Sequence, residues 1–186
     1  MPYAAAASYG PNDIEGIKIA APHKVADIDP KRAKEPSYAD GGTQENCHGY
    51  FSQKTDTLYV GEITKVGNKW YPVRDVDATV VHEVGHALDK RLGYISDSKE
   101  FAAAYQQDIR AMSASDRKSL DYYLPEGQAN NIYIARKEAF AEIYANLRGT
   151  DIDERIDSHF PHSTAVIKER LSSLAKSDKD HVAEGE

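Results

Sequence analysis

This chain has one cysteine, no long apolar run and no excess of positive charge. Each of these features argues against a particular class of protein. Its one cysteine among 186 residues excludes an internal disulfide and a four-cysteine zinc site. No apolar run is long enough to cross a bilayer, and residues 1–10 lack the basic leader of a signal peptide. The net charge of −7 disfavours a nucleic-acid partner, because binding a phosphate backbone requires a basic face. We therefore expect a soluble chain with no membrane insertion and no visible signal for secretion.

The length suits one domain spanning residues 1–186, and a composition of 40% apolar and 28% charged residues is ordinary for a globular protein. Residues 1–13 and 177–186 are polar or rich in small residues, so both ends are predicted to be loose. Residues 22–46 contain three prolines and no regular period, which predicts a loop with at most one helical turn. The sequence gives no indication of an oligomeric state.

Aromatic and β-branched residues cluster between positions 48 and 74, which predicts short strands. The segments 49–51 and 57–60 flank a polar turn at 53–56, and a further strand at 69–73 follows a turn at Gly67. Short polar connections between such runs favour a small antiparallel or mixed sheet, most simply an antiparallel meander.

From residue 77 onward the apolar period becomes helical. The first helix is predicted to run from an Asp77 cap to about Leu92, with Gly93 ending it. Further helices are predicted after a capping box at Asp97-x-x-Glu100, over 116–123, over 135–148, and from a Ser163 cap. A small sheet followed by helices is an α+β arrangement.

The first helix carries the sequence His82-Glu83-Val84-Gly85-His86. Residues four apart lie on one helix face, so the two histidines can present two imidazoles to one ion. Zinc accepts imidazole nitrogens and keeps a position for water in catalytic sites, and Glu83 is placed to act as general base toward that water. Gly85 costs about 1 kcal/mol relative to alanine, which is understandable if another element approaches the helix closely there. The alternative is an amphipathic helix that carries two incidental surface histidines.

Two histidines need a third ligand, and several known spacings fail in this chain. A metzincin would continue with glycine at 89 and histidine at 92, where the chain has Asp89 and Leu92. A closely spaced glutamate ligand would fall at 105 or 106, which are Tyr105 and Gln106. These exclusions leave the later helix over 135–148 as the source of the third ligand.

That later helix carries two carboxylates, Glu138 and Glu142, one turn apart on the same face. Like charges at this spacing destabilise a helix slightly, but beside a dication they become useful. One carboxylate can bind the metal while the other accepts a hydrogen bond from a ligand histidine and fixes its tautomer. The upstream motif therefore favours Glu138 as metal ligand and Glu142 as the orienting residue. The alternative is a solvated acidic face balanced by neighbouring basic side chains.

Two helical motifs and a strand pair in this chain resemble the catalytic domain of anthrax lethal factor and the related Pro-Pro endopeptidases, which are gluzincin metallopeptidases. The similar segments are Val80-Val81-His82-Glu83-Val84-Gly85-His86-Ala87-Leu88-Asp89, Ser98-Lys99-Glu100-Phe101, Glu138-Ala139-Phe140-Ala141-Glu142, and the strands Gly49-Tyr50-Phe51 and Leu58-Tyr59-Val60. The resemblance covers about residues 47–148 and implies a zincin-like fold.

The resemblance also implies roles for individual residues. In that family the first glutamate of the second helical motif is the third zinc ligand, which corresponds to Glu138. A tyrosine seven residues before that glutamate assists the oxyanion or the leaving group, but this chain has Asn131 there. Tyr133 could take the role if the loop is two residues shorter, with Tyr122 and Tyr123 as further candidates. The alternative for Tyr133 is a tyrosine that only packs.

Together these features predict an endopeptidase that uses Zn²⁺ as its cofactor. The metal would be held by His82, His86 and Glu138, and Glu83 would be the general base. The substrate is expected to be a protein or peptide bound in extended form along a strand edge near Tyr59–Thr64. The resemblance suggests a bacterial toxin, an effector or a secreted protease. The alternatives are a zinc-stabilised binding or toxin module without turnover, and a metal-free helical protein.

Overall fold

The computed structural model describes residues 18–20, 24, 34, 47–127, 129–150 and 156–183. Their elements, in chain order, are β1 (Lys18–Ala20), β2 (Gly49–Ser52), β3 (Thr57–Val60), β4 (Ile63–Val66), β5 (Lys69–Pro72), α1 (Val76–Arg91), α2 (Lys99–Ala111), α3 (Ala114–Ser119), α4 (Ile132–Leu147), α5 (Ile156–His159) and α6 (Pro161–Ala183). Strands followed by helices confirm the predicted α+β class. The N-terminal end predicted to be loose, and the predicted loop over 22–46 apart from Lys24 and Lys34, lie outside the described residues.

The described strands form two small sheets rather than the single meander that was the simplest prediction. β2 and β3 form the predicted antiparallel pair, with Gly49 opposite Val60 and Ser52 opposite Thr57. β1 pairs in parallel with the other side of β3, so the three-stranded sheet is mixed. β4 and β5 form a separate antiparallel pair, and the turn between them contains Gly67 at a φ of 61°.

Tyr59, where the predicted substrate-binding edge begins, does not lie at a strand edge. Tyr59 lies on β3, which is the central strand and is paired on both sides at that residue. Thr64 lies on β4, in the separate two-stranded sheet. The sequence did not predict β1, and the addition of β1 to the sheet is what covers β3. The strand that lies beside α1 at the edge of the described mixed sheet is β2.

Helix α1 begins slightly earlier than predicted and ends where predicted. Asp75, not Asp77, is the N-cap residue, and its carbonyl oxygen accepts a hydrogen bond from the Thr79 amide at 2.9 Å. Asp77 therefore lies in the first turn, where its charge suits the positive end of the helix dipole. At the other end, Leu92 is the C-cap and Gly93 follows in the left-handed conformation at a φ of 75°.

The caps of α2 and α3 also differ from the prediction. Ser98, not Asp97, caps α2, because the Ser98 hydroxyl accepts a hydrogen bond from the Phe101 amide at 3.1 Å. The helix predicted over 116–123 is α3 followed by a short 3₁₀ turn at Asp121–Tyr123. A reciprocal capping box between Ser113 and Asp116 fixes the earlier start of α3.

Helices α4 and α6 also start before their predicted first residues. The Asn131 side chain caps α4 by accepting a hydrogen bond from the Tyr133 amide at 2.8 Å. Ser163 lies inside α6 rather than at its cap. The Asp108 carboxylate of α2 accepts hydrogen bonds from the Ser163 amide at 2.8 Å and the Ser163 hydroxyl at 2.7 Å. The α6 backbone continues to Ala183, so most of the C-terminal end predicted to be loose is helical.

Two groups of buried apolar side chains position these elements. One lies among α2, α4 and α6 and includes Phe101, Phe140 and Phe160. The other lies among β3, α1 and α4 and includes Leu58 and Val84. Helix α4 contributes to both groups, so the packing of the core fixes the position of its carboxylates. Among the described residues, no helix is long and apolar enough to cross a membrane.

Candidate metal centre

The two histidines of α1 lie one turn apart and face the same way. The ring centroids of His82 and His86 are 4.9 Å apart, and the ring planes are nearly perpendicular, at 83°. The helix cannot rotate freely, because Val81, Val84 and Leu88 on its apolar stripe are buried. The side chains of His82 and His86 are only 12% and 20% exposed. Both rings are therefore held in a partly enclosed site.

Helix α4 meets α1 in direct backbone contact at Gly85. A Cβ atom placed on Gly85 would lie 2.7 Å from the Ala141 Cα and 2.9 Å from the Ala141 carbonyl oxygen. These distances are too short for a real side chain, so the contact requires glycine. This confirms the close approach that a glycine in the middle of the helix predicted. Because Ala141 lies between Glu138 and Glu142, the contact brings both carboxylates to the histidine helix.

Glu138 completes a group of three potential metal donors. Its Oε2 lies 3.3 Å from His82 Nε2 and 3.6 Å from His86 Nε2, and the three donor atoms all lie within 4.8 Å of one another. Donors bound tetrahedrally to zinc at about 2.1 Å are separated from each other by about 3.4 Å. The two separations from Glu138 agree with that value. The group can therefore hold a metal ion, with room in a tetrahedral arrangement for one further ligand.

Glu142 fixes the orientation of the His82 ring. Its Oε2 lies 2.7 Å from His82 Nδ1, and its side chain is 1% exposed. An acceptor at that distance favours the tautomer of His82 with hydrogen on Nδ1. The Nε2 lone pair is then free to bind a metal ion together with His86 and Glu138. The other carboxylate oxygen of Glu142 has no hydrogen-bond partner among the described residues. The structure thus places Glu142 where the sequence predicted an orienting carboxylate.

The carboxylates of Glu138 and Glu142 bring negative charge close to His82. Burial opposes a charge on His82, but hydrogen bonds to Glu138 and Glu142 raise its pKa well above the ordinary value. Burial alone would raise the pKa of Glu138, yet the neighbouring His86 and His82 lower it. Glu138 is therefore an ionised carboxylate beside the two histidines.

Glu83, the predicted general base, is buried beside the donor group and against β2. Burial raises the pKa of its carboxyl group, while the charges of His86 and His82 lower it in part. The Phe51 amide of β2 donates a hydrogen bond to the Glu83 carboxylate. A Cβ atom placed on Gly49 would lie 3.3 Å from the Glu83 Cγ, so the strand backbone contacts this side chain directly. A carboxyl group with a raised pKa beside a metal site is suited to accept and return a proton.

The tyrosine beside the metal donors is Tyr122 rather than Tyr133. The Tyr122 hydroxyl lies 3.3 Å from Glu138 Oε2, and burial raises the pKa of this hydroxyl. Tyr133 is 60% exposed, and its ring packs beneath the Arg136 guanidinium, 5.0 Å from the ring centroid. The reason is helix geometry: α4 includes both Tyr133 and Glu138, and residues five apart on a helix point about 140° away from each other. The structure therefore does not bring Tyr133, the tyrosine favoured by the sequence, to the metal donors, and places Tyr122, one of the further candidates, beside them.

A cavity that the sequence did not predict lies beside Thr79, one helical turn before Glu83 on α1. Its volume is about 590 Å³, and it is lined by His48, Thr64, Val66, Tyr71, Pro72, Val73, Arg74, Asp75 and Thr79. Thr79 lies one turn before Glu83 on α1, and a Cβ atom on Gly49 would lie 2.9 Å from its Cγ2. Val66 and Tyr71 are exposed apolar residues that line this space. The apolar residues of the β4–β5 hairpin were the only sequence feature that related to the cavity. A buried strand has the same apolar character, so this feature did not predict a cavity.

Comparison of the chain with protein-family models, curated proteins and solved structures found no significant match to any of them.

Proposed function

We propose that this chain is a zinc-dependent endopeptidase with a zincin-like arrangement of its active-site helix and third ligand. The observation that carries the proposal is the donor geometry: Glu138 lies 3.3 Å from one histidine nitrogen and 3.6 Å from the other. Two nitrogens and one carboxylate oxygen are a donor set that zinc uses in catalytic sites, with the remaining position left for water. His82, His86 and Glu138 would hold the ion.

Bound zinc would lower the pKa of a water molecule and polarise the carbonyl group of the scissile peptide bond. Glu83 would accept the proton from that water on its carboxylate and later return it to the leaving amine. Burial raises its pKa, which favours holding the transferred proton. Glu142 would hold the His82 ring in place throughout, through the hydrogen bond at 2.7 Å. The Tyr122 hydroxyl would donate a hydrogen bond to the oxyanion that develops on the substrate.

The substrate would be an extended peptide that binds along β2. The Phe51 amide points away from β3, because Phe51 and Leu58 form a non-hydrogen-bonded pair in the ladder that begins with the bond from the Gly61 amide to the His48 carbonyl oxygen. The outer edge of β2 therefore faces the site, and a peptide there could pair with outward backbone groups of the strand other than the Phe51 amide, which Glu83 occupies. The cavity of about 590 Å³ beside Thr79 would receive side chains of the same peptide, and its volume lies within the range of ligand-binding cavities. The resemblance to lethal factor and the Pro-Pro endopeptidases supports a bacterial toxin, an effector or a secreted protease.

The experiment that tests the proposal pairs metal analysis with cleavage of a proteome-derived peptide library. The parent chain is expected to contain about one zinc per molecule and to cleave internal bonds, including those of peptides with blocked N-termini. Glu83→Gln is expected to retain zinc and to lose cleavage by at least about 100-fold, the lower range for removal of a general base. Glu169→Gln changes an exposed carboxylate on α6 and serves as the matched control.

Three outcomes would contradict the proposal, and each has a different meaning. A chain that contains no metal and takes up no added zinc would be a metal-free helical protein. A chain that binds zinc but cleaves nothing in the library would be a zinc-stabilised binding or toxin module. A Glu83→Gln variant that cleaves as fast as the parent would show that another group is the base.

A further inference from the structure

Tyr122 lies on a short 3₁₀ turn, Asp121–Tyr123, between α3 and α4. The turn is closed by a hydrogen bond from the Tyr123 amide to the Leu120 carbonyl oxygen at 2.9 Å, and by one from the Leu124 amide to the Asp121 carbonyl oxygen at 3.3 Å. Hydrogen bonds of the 3₁₀ type have poorer geometry than those of an α-helix. The turn therefore depends on contacts from outside itself to hold the Tyr122 hydroxyl near Glu138.

Tyr105 of α2 makes such a contact from the core. Its hydroxyl donates a hydrogen bond to the Tyr123 carbonyl oxygen at 2.5 Å, and its side chain is fully buried. Its ring stacks on Phe160, with centroids 5.6 Å apart and planes inclined by 19°. Burial raises the pKa of the hydroxyl, so it remains a donor at neutral pH. A side chain fixed by core packing thus holds the backbone of the residue next to Tyr122.

The chain that follows the turn supplies a second contact. A Cβ atom on Gly127 would overlap the backbone and the carboxylate of Asp121, so this close approach requires glycine. The adjacent Glu126 forms an ion pair with Arg117 of α3. The loop after the turn therefore packs directly against Asp121, the first residue of the turn. Tyr105 holds Tyr123, the last residue of the turn.

We propose that Tyr105 is a positioning residue for the Tyr122 hydroxyl. By holding the Tyr123 carbonyl, it keeps the Tyr122 phenol beside Glu138, where it can donate to the oxyanion formed during peptide hydrolysis. The role of Tyr122 in hydrolysis rests on the proposed function, whereas the placement of its hydroxyl can be measured separately. The effect of Tyr105 is transmitted through one backbone group, so removing a single oxygen atom tests it.

The test is Tyr105→Phe, which removes the hydroxyl and keeps the stacked ring. The variant is expected to lower kcat by about ten-fold, a fraction of the loss that follows complete removal of an oxyanion donor. KM and zinc content are expected to stay within two-fold of the parent, because neither depends on this hydroxyl. Tyr94→Phe is the control, since it removes a hydroxyl that bonds Gln53 at the surface and should leave kcat unchanged.

A double-mutant comparison separates positioning from a general loss of structure. In a Tyr122→Phe background there is no phenol left to position, so Tyr105→Phe is expected to lower kcat no further. The same ten-fold loss in both backgrounds, or no loss in either, would overturn the proposal. If Tyr105→Phe does not fold, Gly127→Ala disturbs the same turn through Asp121 and is expected to give the same background-dependent loss; equal losses in both backgrounds would again overturn the proposal.

A crystal structure of Tyr105→Phe decides the point even if the chain cleaves no peptide. In the parent, the Tyr122 hydroxyl lies 3.3 Å from Glu138 Oε2. The proposal expects this hydrogen bond to be lost in the variant, with the turn displaced or present in more than one conformation. A Tyr122 hydroxyl that stays within hydrogen-bond distance of Glu138 would refute the positioning role and leave the proposed function intact. A lost hydrogen bond in a zinc-loaded chain without cleavage would refute only the proposed function.

Discussion

Replacing Gly85 with alanine separates the stability of the protein from the geometry of its metal site. The new Cβ atom would lie 2.7 Å from the Ala141 Cα, where carbon atoms in favourable contact are about 3.5–4.0 Å apart. Helices α1 and α4 must therefore separate locally by roughly 0.8 Å or more to accept it. The clash is with backbone atoms, so no side-chain rearrangement of Ala141 can relieve it.

The effect of Gly85→Ala on folding is expected to be modest because two terms oppose each other. Alanine in place of glycine favours the helix by about 1 kcal/mol. Overpacking at a tight contact costs about 1–3 kcal/mol. The free energy of unfolding should therefore fall by no more than about 2 kcal/mol, as measured by urea denaturation of the metal-free chain.

The effect of the same change on zinc binding is expected to be much larger. Glu138 lies three residues before Ala141, so the separation moves its Oε2 away from the nitrogens it now meets at 3.3 and 3.6 Å. Metal sites require donor distances within about 0.2 Å of the ideal values. We expect zinc affinity to fall by about 100-fold, or about 2.7 kcal/mol, in a competition assay with a coloured chelator.

Gly93→Ala is the matched control for this prediction. Gly93 has a φ of 75° and no atom within 4 Å of an added Cβ, so alanine there is strained without a clash. It should lower the free energy of unfolding by about 1–2 kcal/mol and leave zinc affinity unchanged. The prediction would be contradicted by a Gly85→Ala chain that binds zinc as tightly as the parent and has a free energy of unfolding about 1 kcal/mol higher.

Three further predictions concern the residues around the donors. Tyr122→Phe should lower kcat by about 100-fold with zinc content unchanged, whereas Tyr133→Phe, at an exposed position, should alter kcat by less than about two-fold. Glu142→Gln should weaken zinc binding by about 10–100-fold in equilibrium dialysis, because the amide holds the His82 ring less firmly; unchanged affinity would argue against the orienting role. Zinc affinity should fall as pH is lowered, and the fall should begin above pH 6.5, because the raised pKa of His82 lets protons compete for its Nε2 near neutrality; an affinity that is constant between pH 8 and pH 6 would contradict this.

Local sequence was enough to predict the helix that carries the two histidines. The apolar period around Val84, the glycine at 93 and the four-residue spacing of His82 and His86 are all features within one helix. Their consequences follow from helix geometry alone. Gly85 was informative because glycine destabilises the middle of a helix, and this effect can be recognised from the sequence alone. The close contact with Ala141 that requires the glycine is visible only in the folded structure.

Helix starts were predicted less well because neighbouring polar residues can compete for the cap position. Asp97 precedes α2 and was expected to cap it, but its carboxylate instead forms ion pairs with Arg136 and Lys137 of α4. That leaves the adjacent Ser98 to accept the hydrogen bond from the Phe101 amide. Which of two neighbouring residues becomes the cap thus depended on a partner 39 residues away in the chain.

Only the folded structure shows which tyrosine lies beside Glu138. Asn131 caps α4 early enough to include Tyr133 in the helix, which turns that ring away from Glu138. Tyr122 comes from a separate turn whose backbone accepts a hydrogen bond from Tyr105. Spacing along the chain does not encode either fact, so counting residues back from the glutamate did not find the tyrosine that lies beside Glu138.

Periodicity and spacing alone predicted an α+β chain with two imidazoles on one face of one helix and two carboxylates on one face of another. Those are properties of repeating local geometry, and they are fixed within a few residues. Local geometry did not predict that β1 covers β3, or that His82 is the histidine that meets Glu142. The contact between His82 and Glu142 depends on how closely the backbones of α1 and α4 can approach, and that approach occurs at Gly85.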